Sequence, residues 1–204
     1  MSKKPVIVFE GIEGSGKSFH IKNVANYLKK KKIDFIKLRE PGGSKNSELI
    51  RKLILGKKSN FSNNTDLLLY LAARSENIEQ LKKFYKKKII LIDRFIDSTI
   101  AYQHYGMNIN LDFINFTNKF ILQNFRVDFT FLNTVNQKNM YARLKKRKKL
   151  NRYDKFDYNF YSKVQKGFIK LAQKKSKKYM IINSNLETKI NKVLIIKKID
   201  KLIK

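Results

Sequence analysis

Between Gly11 and Ser18 the chain reads Gly-Ile-Glu-Gly-Ser-Gly-Lys-Ser, which fits the pattern G-x-x-x-x-G-K-[ST]. Glycines let a backbone turn sharply and bring its N–H groups against phosphate oxygens. Lys17 adds a positive charge for the β- and γ-phosphates, and Ser18 offers a hydroxyl to Mg2+. A glycine-rich turn alone could be chemically inert. The flanking residues argue otherwise. Val6-Ile7-Val8-Phe9-Glu10 is an apolar run suited to a buried strand. A helix is expected to start at Lys17, with its positive dipole end aimed at the anion. Gly11, Ile12, Glu13, Gly14, Ser15, Gly16, Lys17 and Ser18 are therefore read as the binding loop for a nucleoside triphosphate.

Three further constellations carry possible chemistry. Asp93-Arg94 ends a second apolar run, Ile89-Ile90-Leu91-Ile92. A carboxylate there can hold Mg2+ opposite Ser18, and Arg94 can neutralise a phosphate. A structural ion pair is the plainer reading, but a buried strand should end in charge only beside a cleft. Arg39-Glu40-Pro41-Gly42-Gly43 follows another run and exposes Arg39 to an anion. Tyr70 and Arg74 stand four apart on a helical stretch, so a ring for stacking and a guanidinium share one face.

These residues need a frame that brings strand ends together. Apolar runs near 5–10, 33–38, 88–92, 127–132 and 179–183 alternate with segments of helical period, such as Ile21, Val24, Ala25, Leu28 and Leu49, Ile50, Leu53, Ile54. This rhythm predicts an α/β fold: a parallel sheet of about five strands with helices on both faces. In such sheets ligands bind beyond the carboxyl ends of the strands. The stretch 187–204, with Ile190, Val193, Leu194 and Ile199, predicts an amphipathic packing helix, in preference to one that binds a membrane surface. Residues 143–155 form a dense basic block, read as a solvated helix end or as a lid closing on phosphates.

Composition sets outer bounds. The 204 residues suffice for one domain. There is no cysteine, which removes disulfide and thiolate chemistry. No apolar run approaches the roughly 18–20 residues that cross a bilayer. A cytoplasmic protein with no membrane partner is expected. The formal charge is +30, from 46 Lys+Arg against 16 Asp+Glu. A basic face can mean nucleic acid. Here the excess is mostly Lys, spread over many segments alongside many Asn, Ile, Phe and Tyr, so it reads as compositional bias with no specific nucleic-acid partner.

Taken together, the motifs resemble thymidylate kinases of the bacterial type, within the nucleoside monophosphate kinase class and its P-loop NTPase-type fold. The resemblance is carried by Phe9 to Ser18, Arg39-Glu40-Pro41-Gly42-Gly43, Ala72-Ala73-Arg74, Asp93-Arg94, Ser98, Ala101-Tyr102-Gln103 and Asn151-Arg152. It implies transfer of the ATP γ-phosphoryl group to dTMP with Mg2+, in one domain with a basic lid, as a homodimer. It also implies roles. Gly11 to Ser18 would cradle ATP. Glu13 would meet the sugar 3′-hydroxyl, and Arg39 and Arg94 the acceptor phosphate. Tyr70 would stack on thymine, and Arg74 would bond its carbonyl edge. Ser98 and Gln103 would complete the contacts, and Tyr102 would crowd the sugar 2′ position. In this family some members carry an Arg directly after the acidic residue of the loop. This chain has Gly14 there, so Lys17, Arg94, Arg147 and Arg152 would supply the catalytic charge, and Ser18 with Asp93 the metal ligands.

Two other readings compete, the first of the same class and the second of a different one. One is a kinase of another monophosphate, and another a nucleic-acid-binding P-loop ATPase. A GTPase is disfavoured, because Asn118-Lys119-Phe120-Ile121 lacks the Asp expected for guanine.

Overall fold

In the computed structural model β1 spans Val6–Glu10, and every residue of it is buried. Residues 4–56, 58–147 and 151–204 are described; positions 148–150 of the basic block lie outside them. Burial on both faces is what a central parallel strand requires. Ile7 and Phe9 face one side, packed with Val24 and Leu28 of α1 (Lys17–Lys30) and Ile195 and Ile199 of α8 (Thr188–Ile203). Val6 and Val8 face the other side. There they meet Ile78 and Leu81 of α3 (Asn63–Lys82) and Leu122 of α5 (Leu111–Leu122).

The sheet has five strands in the order β2-β3-β1-β4-β5, and every pairing is parallel. The others are β2 (Phe35–Arg39), β3 (Ile89–Asp93), β4 (Phe129–Thr134) and β5 (Tyr179–Asn183). Register places the chemistry: Asp93 pairs with Phe9 on one side and Arg39 on the other. The carboxyl ends of β1, β2 and β3 thus finish at one level, where ligands bind in such sheets. Helices α2 (Lys45–Leu55), α6 (Gln137–Lys145) and α7 (Tyr158–Lys174) complete the layers. The short α4 (Ile96–Thr99) runs straight into a π-helical stretch, Ile100–Gly106.

The five expected strands and the helix starting at Lys17 are all present. Two packing faces differ from expectation. In α8 the buried stripe is Asn191, Ile195 and Ile199, whereas Ile190, Val193 and Leu194 face solvent. The helix is apolar on two stripes, so periodicity alone could not choose between them. In α2, Ile54 is buried but Leu49 and Leu53 are exposed.

Candidate functional site

The phosphate loop sits between β1 and α1. Gly11 has φ +140°, and a Cβ there would lie 2.2 Å from the Asn133 carbonyl oxygen. Only glycine allows the chain to pass β4 this closely. Gly16 has φ +86° and stands immediately before α1, so the helix start faces the loop. Inside it the buried Lys17 Nζ donates to Gly11 O at 2.7 Å and Ile12 O at 2.9 Å. Burial, and next the Arg94 guanidinium, push the Lys17 ammonium down to about 7. At the mouth of the loop the exposed Ser18 Oγ donates to Asp93 Oδ2 at 3.0 Å.

Beyond Asp93 the chain turns sharply, and Arg94 has φ +67°. This sends its guanidinium back across the loop. Nη1 donates to Gly11 O at 3.0 Å, and Nη2 pairs with Glu13 Oε1 at 2.8 Å. The Tyr102 hydroxyl donates to the other Glu13 oxygen, and the Tyr102 ring lies 5.1 Å from the Arg94 guanidinium carbon. Burial alone would raise the Glu13 carboxyl, but Arg94 and Lys17 bring it below the usual carboxylate range. Burial would lower Arg94, yet Glu13, Tyr102, Asp93 and Glu10 hold it well above its ordinary value. The result is a charged cluster beside the loop.

One cleft gathers Glu13, Lys17, Ser18, Arg39, Tyr70, Arg74, Asp93, Arg94, Ser98, Tyr102, Gln103 and Arg147. Arg39 is held at its rim by Glu48, 3.2 Å away. Arg74 is fully buried; Nε and Nη2 bond Glu40 Oε2 at 2.9 and 2.7 Å, and Nη1 bonds Asn118 Oδ1 at 2.7 Å. The glutamate of the Arg-Glu-Pro-Gly-Gly turn therefore orients it. Arg147 reaches the cleft with Nη1 2.6 Å from Asp154 Oδ1. Arg152 stands apart from the cleft lining. Its guanidinium pairs with the buried Asp66 of α3 and lies 5.0 Å from the Tyr153 ring centre.

Sequence reading passed over four groups that the fold brings in. Tyr153 lines the cleft, edge-on to Tyr70 and Tyr102, and donates to Asp66 Oδ2 at 3.2 Å. Asp66 therefore holds both Arg152 and Tyr153. Arg143 closes the loop edge, donating to Gly14 O at 2.9 Å and Ser184 O at 2.6 Å. Glu10 lies buried beneath the loop. It could have been found by the argument applied to Asp93, since both are carboxylates closing an apolar run. Arg143 and Tyr153 were legible only as members of the basic block 143–155, and Asp66 carries no such signal.

A family model described as "Thymidylate kinase" matches residues 9–195. A thymidylate kinase of Wolbachia pipientis wMel is 37% identical over 187 residues, spanning 90% of this chain and 92% of its own. One of Acholeplasma laidlawii is 35% identical over 182 residues, spanning 88% and 90%. The crystal structure of a thymidylate kinase from Ehrlichia chaffeensis matches with a TM-score of 0.79 at 30% identity, covering 98% of this chain and 99% of that one.

Proposed function

The chain belongs to the thymidylate kinase family, and on that premise we propose that it transfers the γ-phosphoryl group of ATP to dTMP, giving dTDP and ADP. The observation that carries this reading is a single cleft. It joins a triphosphate loop to a pocket holding Arg94, Glu13 and Tyr102 in mutual contact.

The acceptor is a phosphate oxygen that is already ionised, so no strong general base is needed. Catalysis is positioning and charge neutralisation. Gly11 to Ser18 bind the ATP phosphates. Arg39 and Arg94 hold the dTMP phosphate, and Glu13 meets the sugar 3′-hydroxyl. Tyr70 stacks on thymine, Arg74 bonds its carbonyl edge, and Ser98 and Gln103 complete the pocket. Tyr102 opposes a 2′-hydroxyl. Lys17, Arg94 and Arg147 face the developing charge. Arg152 serves the same step by fixing the lid through Asp66.

Mg2+ suits this donor set. Ser18 Oγ and Asp93 Oδ2 are hard oxygen donors 3.0 Å apart. Among the described residues no cluster of three or more His, Cys, Asp or Glu converges. Such a site would hold the ion by one or two protein oxygens together with substrate phosphates. When bound, Mg2+ neutralises charge on the β- and γ-phosphates.

The protein acts as a cytoplasmic homodimer, with the chain as one kinase domain. Among the described residues no helix is long and apolar enough to cross a membrane. The dimer face is the layer of α2, α3 and α5. It exposes Leu49, Leu53, Leu68, Phe113, Phe116 and Phe120, the last two 71% and 75% exposed. Large apolar side chains exposed on neighbouring helices support a protein contact there. The +30 charge hastens capture of anionic nucleotides and selects no nucleic acid.

The test is a coupled assay over a panel of monophosphates, with and without DNA. A preference of at least about 100-fold in kcat/KM for dTMP over UMP, CMP and AMP is expected, because unpaired polar groups penalise the wrong base. Equal rates with dTMP and UMP, or ATP hydrolysis stimulated by DNA, overturn the reading.

A further inference from the structure

Glu10 ends β1 with its side chain wholly removed from solvent. A buried carboxylate needs partners for its lone pairs. Oε1 accepts from Phe95 N at 2.8 Å and Ser98 N at 3.2 Å, and Oε2 accepts from Ser98 Oγ at 2.5 Å. All three donors lie on the turn that leaves β3 and opens α4. That helix start has no side-chain cap from its own N-cap residue, Phe95. Glu10, from the neighbouring strand, supplies the acceptor that an N-cap side chain normally provides.

The same carboxylate reaches further through Ser98. The Ser98 hydroxyl donates to Glu10 and accepts from Arg94 Nη1 at 3.3 Å. Arg94 leaves its strand with φ +67°, a conformation rare for a residue with a side chain. Such conformations persist only where the surroundings over-determine them. Here Glu10 fixes both ends of the turn: the N–H groups that follow Arg94, and the hydroxyl its guanidinium leans on.

We propose that Glu10 is a positioning residue for phosphoryl transfer, which acts through Ser98 to aim Arg94 at the acceptor phosphate. The inference rests on the reading of this cleft as the dTMP site. It adds a residue that touches neither substrate. Glu10 is buried, and the charged groups around it are Asp97, Arg94 and Lys17. Asp97 is itself engaged by the Tyr179 hydroxyl and, at 3.9 Å, by Lys175.

The test is steady-state kinetics of Glu10→Gln with dTMP and ATP varied separately. The amide keeps the shape and one acceptor oxygen, but presents N–H groups to Ser98. A rise of about tenfold in KM for dTMP is expected, the scale of one hydrogen bond to a charged group. KM for ATP should stay within about twofold. In the Glu10→Gln/Ser98→Ala double variant the effects should not multiply, because both break one chain. Glu10→Asp retains the carboxyl group and falls short of Ser98, and should show the same split. An unchanged KM for dTMP in either folded variant, or multiplicative effects in the double variant, overturns the proposal. So does equal damage to both KM values, or failure of both variants to fold, since either makes Glu10 a purely structural residue. A wild-type protein inactive on dTMP defeats the functional reading instead.

Discussion

Replacing Arg147 by Ala separates the two lid arginines. Arg147 lines the cleft with a side chain 40% exposed, held by Asp154 at 2.6 Å. A guanidinium about 4 Å from a phosphoryl oxygen, at an effective dielectric near 20, interacts by about 4 kcal/mol. Asp154 offsets part of this, so about 3–4 kcal/mol of transition-state stabilisation is at stake, or roughly 10²- to 10³-fold in kcat. KM for dTMP should change less than about threefold, because the base and sugar contacts lie elsewhere. Arg147→Lys should recover only part, since an ammonium lacks the planar fork. Arg152→Ala should give a different signature. It strips the buried Asp66 of its cation and leaves it, among the described residues, the Tyr153 hydroxyl. Leaving a buried charge uncompensated costs about 3–5 kcal/mol, and the remaining hydrogen bond favours the low end. At roughly 2–4 °C per kcal/mol, the melting temperature should fall by about 6–12 °C. KM for dTMP should rise as Tyr153 loosens. The assays are coupled ADP release and a thermal melt. If Arg152→Ala abolishes kcat while Arg147→Ala stays near wild type, the assignment within the lid is reversed. If both singles and the double variant keep kcat, the lid-arginine mechanism is wrong.

Lys17, pushed down to about 7 by burial, loses charge as pH rises through that value, and an arriving triphosphate restores it. ATP binding at pH 8 should therefore take up a proton, seen as a buffer-dependent enthalpy in calorimetry; zero uptake refutes this. Gly11→Ala forces a Cβ to within 2.2 Å of the Asn133 carbonyl, so it should destabilise by about 3 kcal/mol and weaken ATP binding at least about tenfold. Retention of both in melts and nucleotide titrations would show that β4 can yield. Phe116→Asp, at a 71% exposed position, should convert dimer to monomer in light scattering, and an unshifted mass places the interface elsewhere.

The sequence alone determined the parts whose signal is local. The phosphate loop, the strand before it and the helix after it are contiguous, so glycine spacing and apolar runs suffice. Asp93 and Arg94 were legible because charge at the end of a buried run has few uses. That residues as far apart as Glu13 and Arg147, 134 positions, share one cleft was legible only through the family resemblance. Tertiary structure decided the rest. Which of the two apolar stripes of α8 packs depended on the sheet beneath it, not on its period. That Arg147 reaches the cleft while Arg152 turns to Asp66 depended on α3 presenting a buried carboxylate beside the basic block. Glu10 could be read as the end of a strand. Its role depended on the parallel register that sets β1 beside β3, so that the turn after Asp93 closes onto its carboxylate. Hydrogen bonds between strand ends are long-range in sequence and short-range in space, and only the folded chain brings donor and acceptor together.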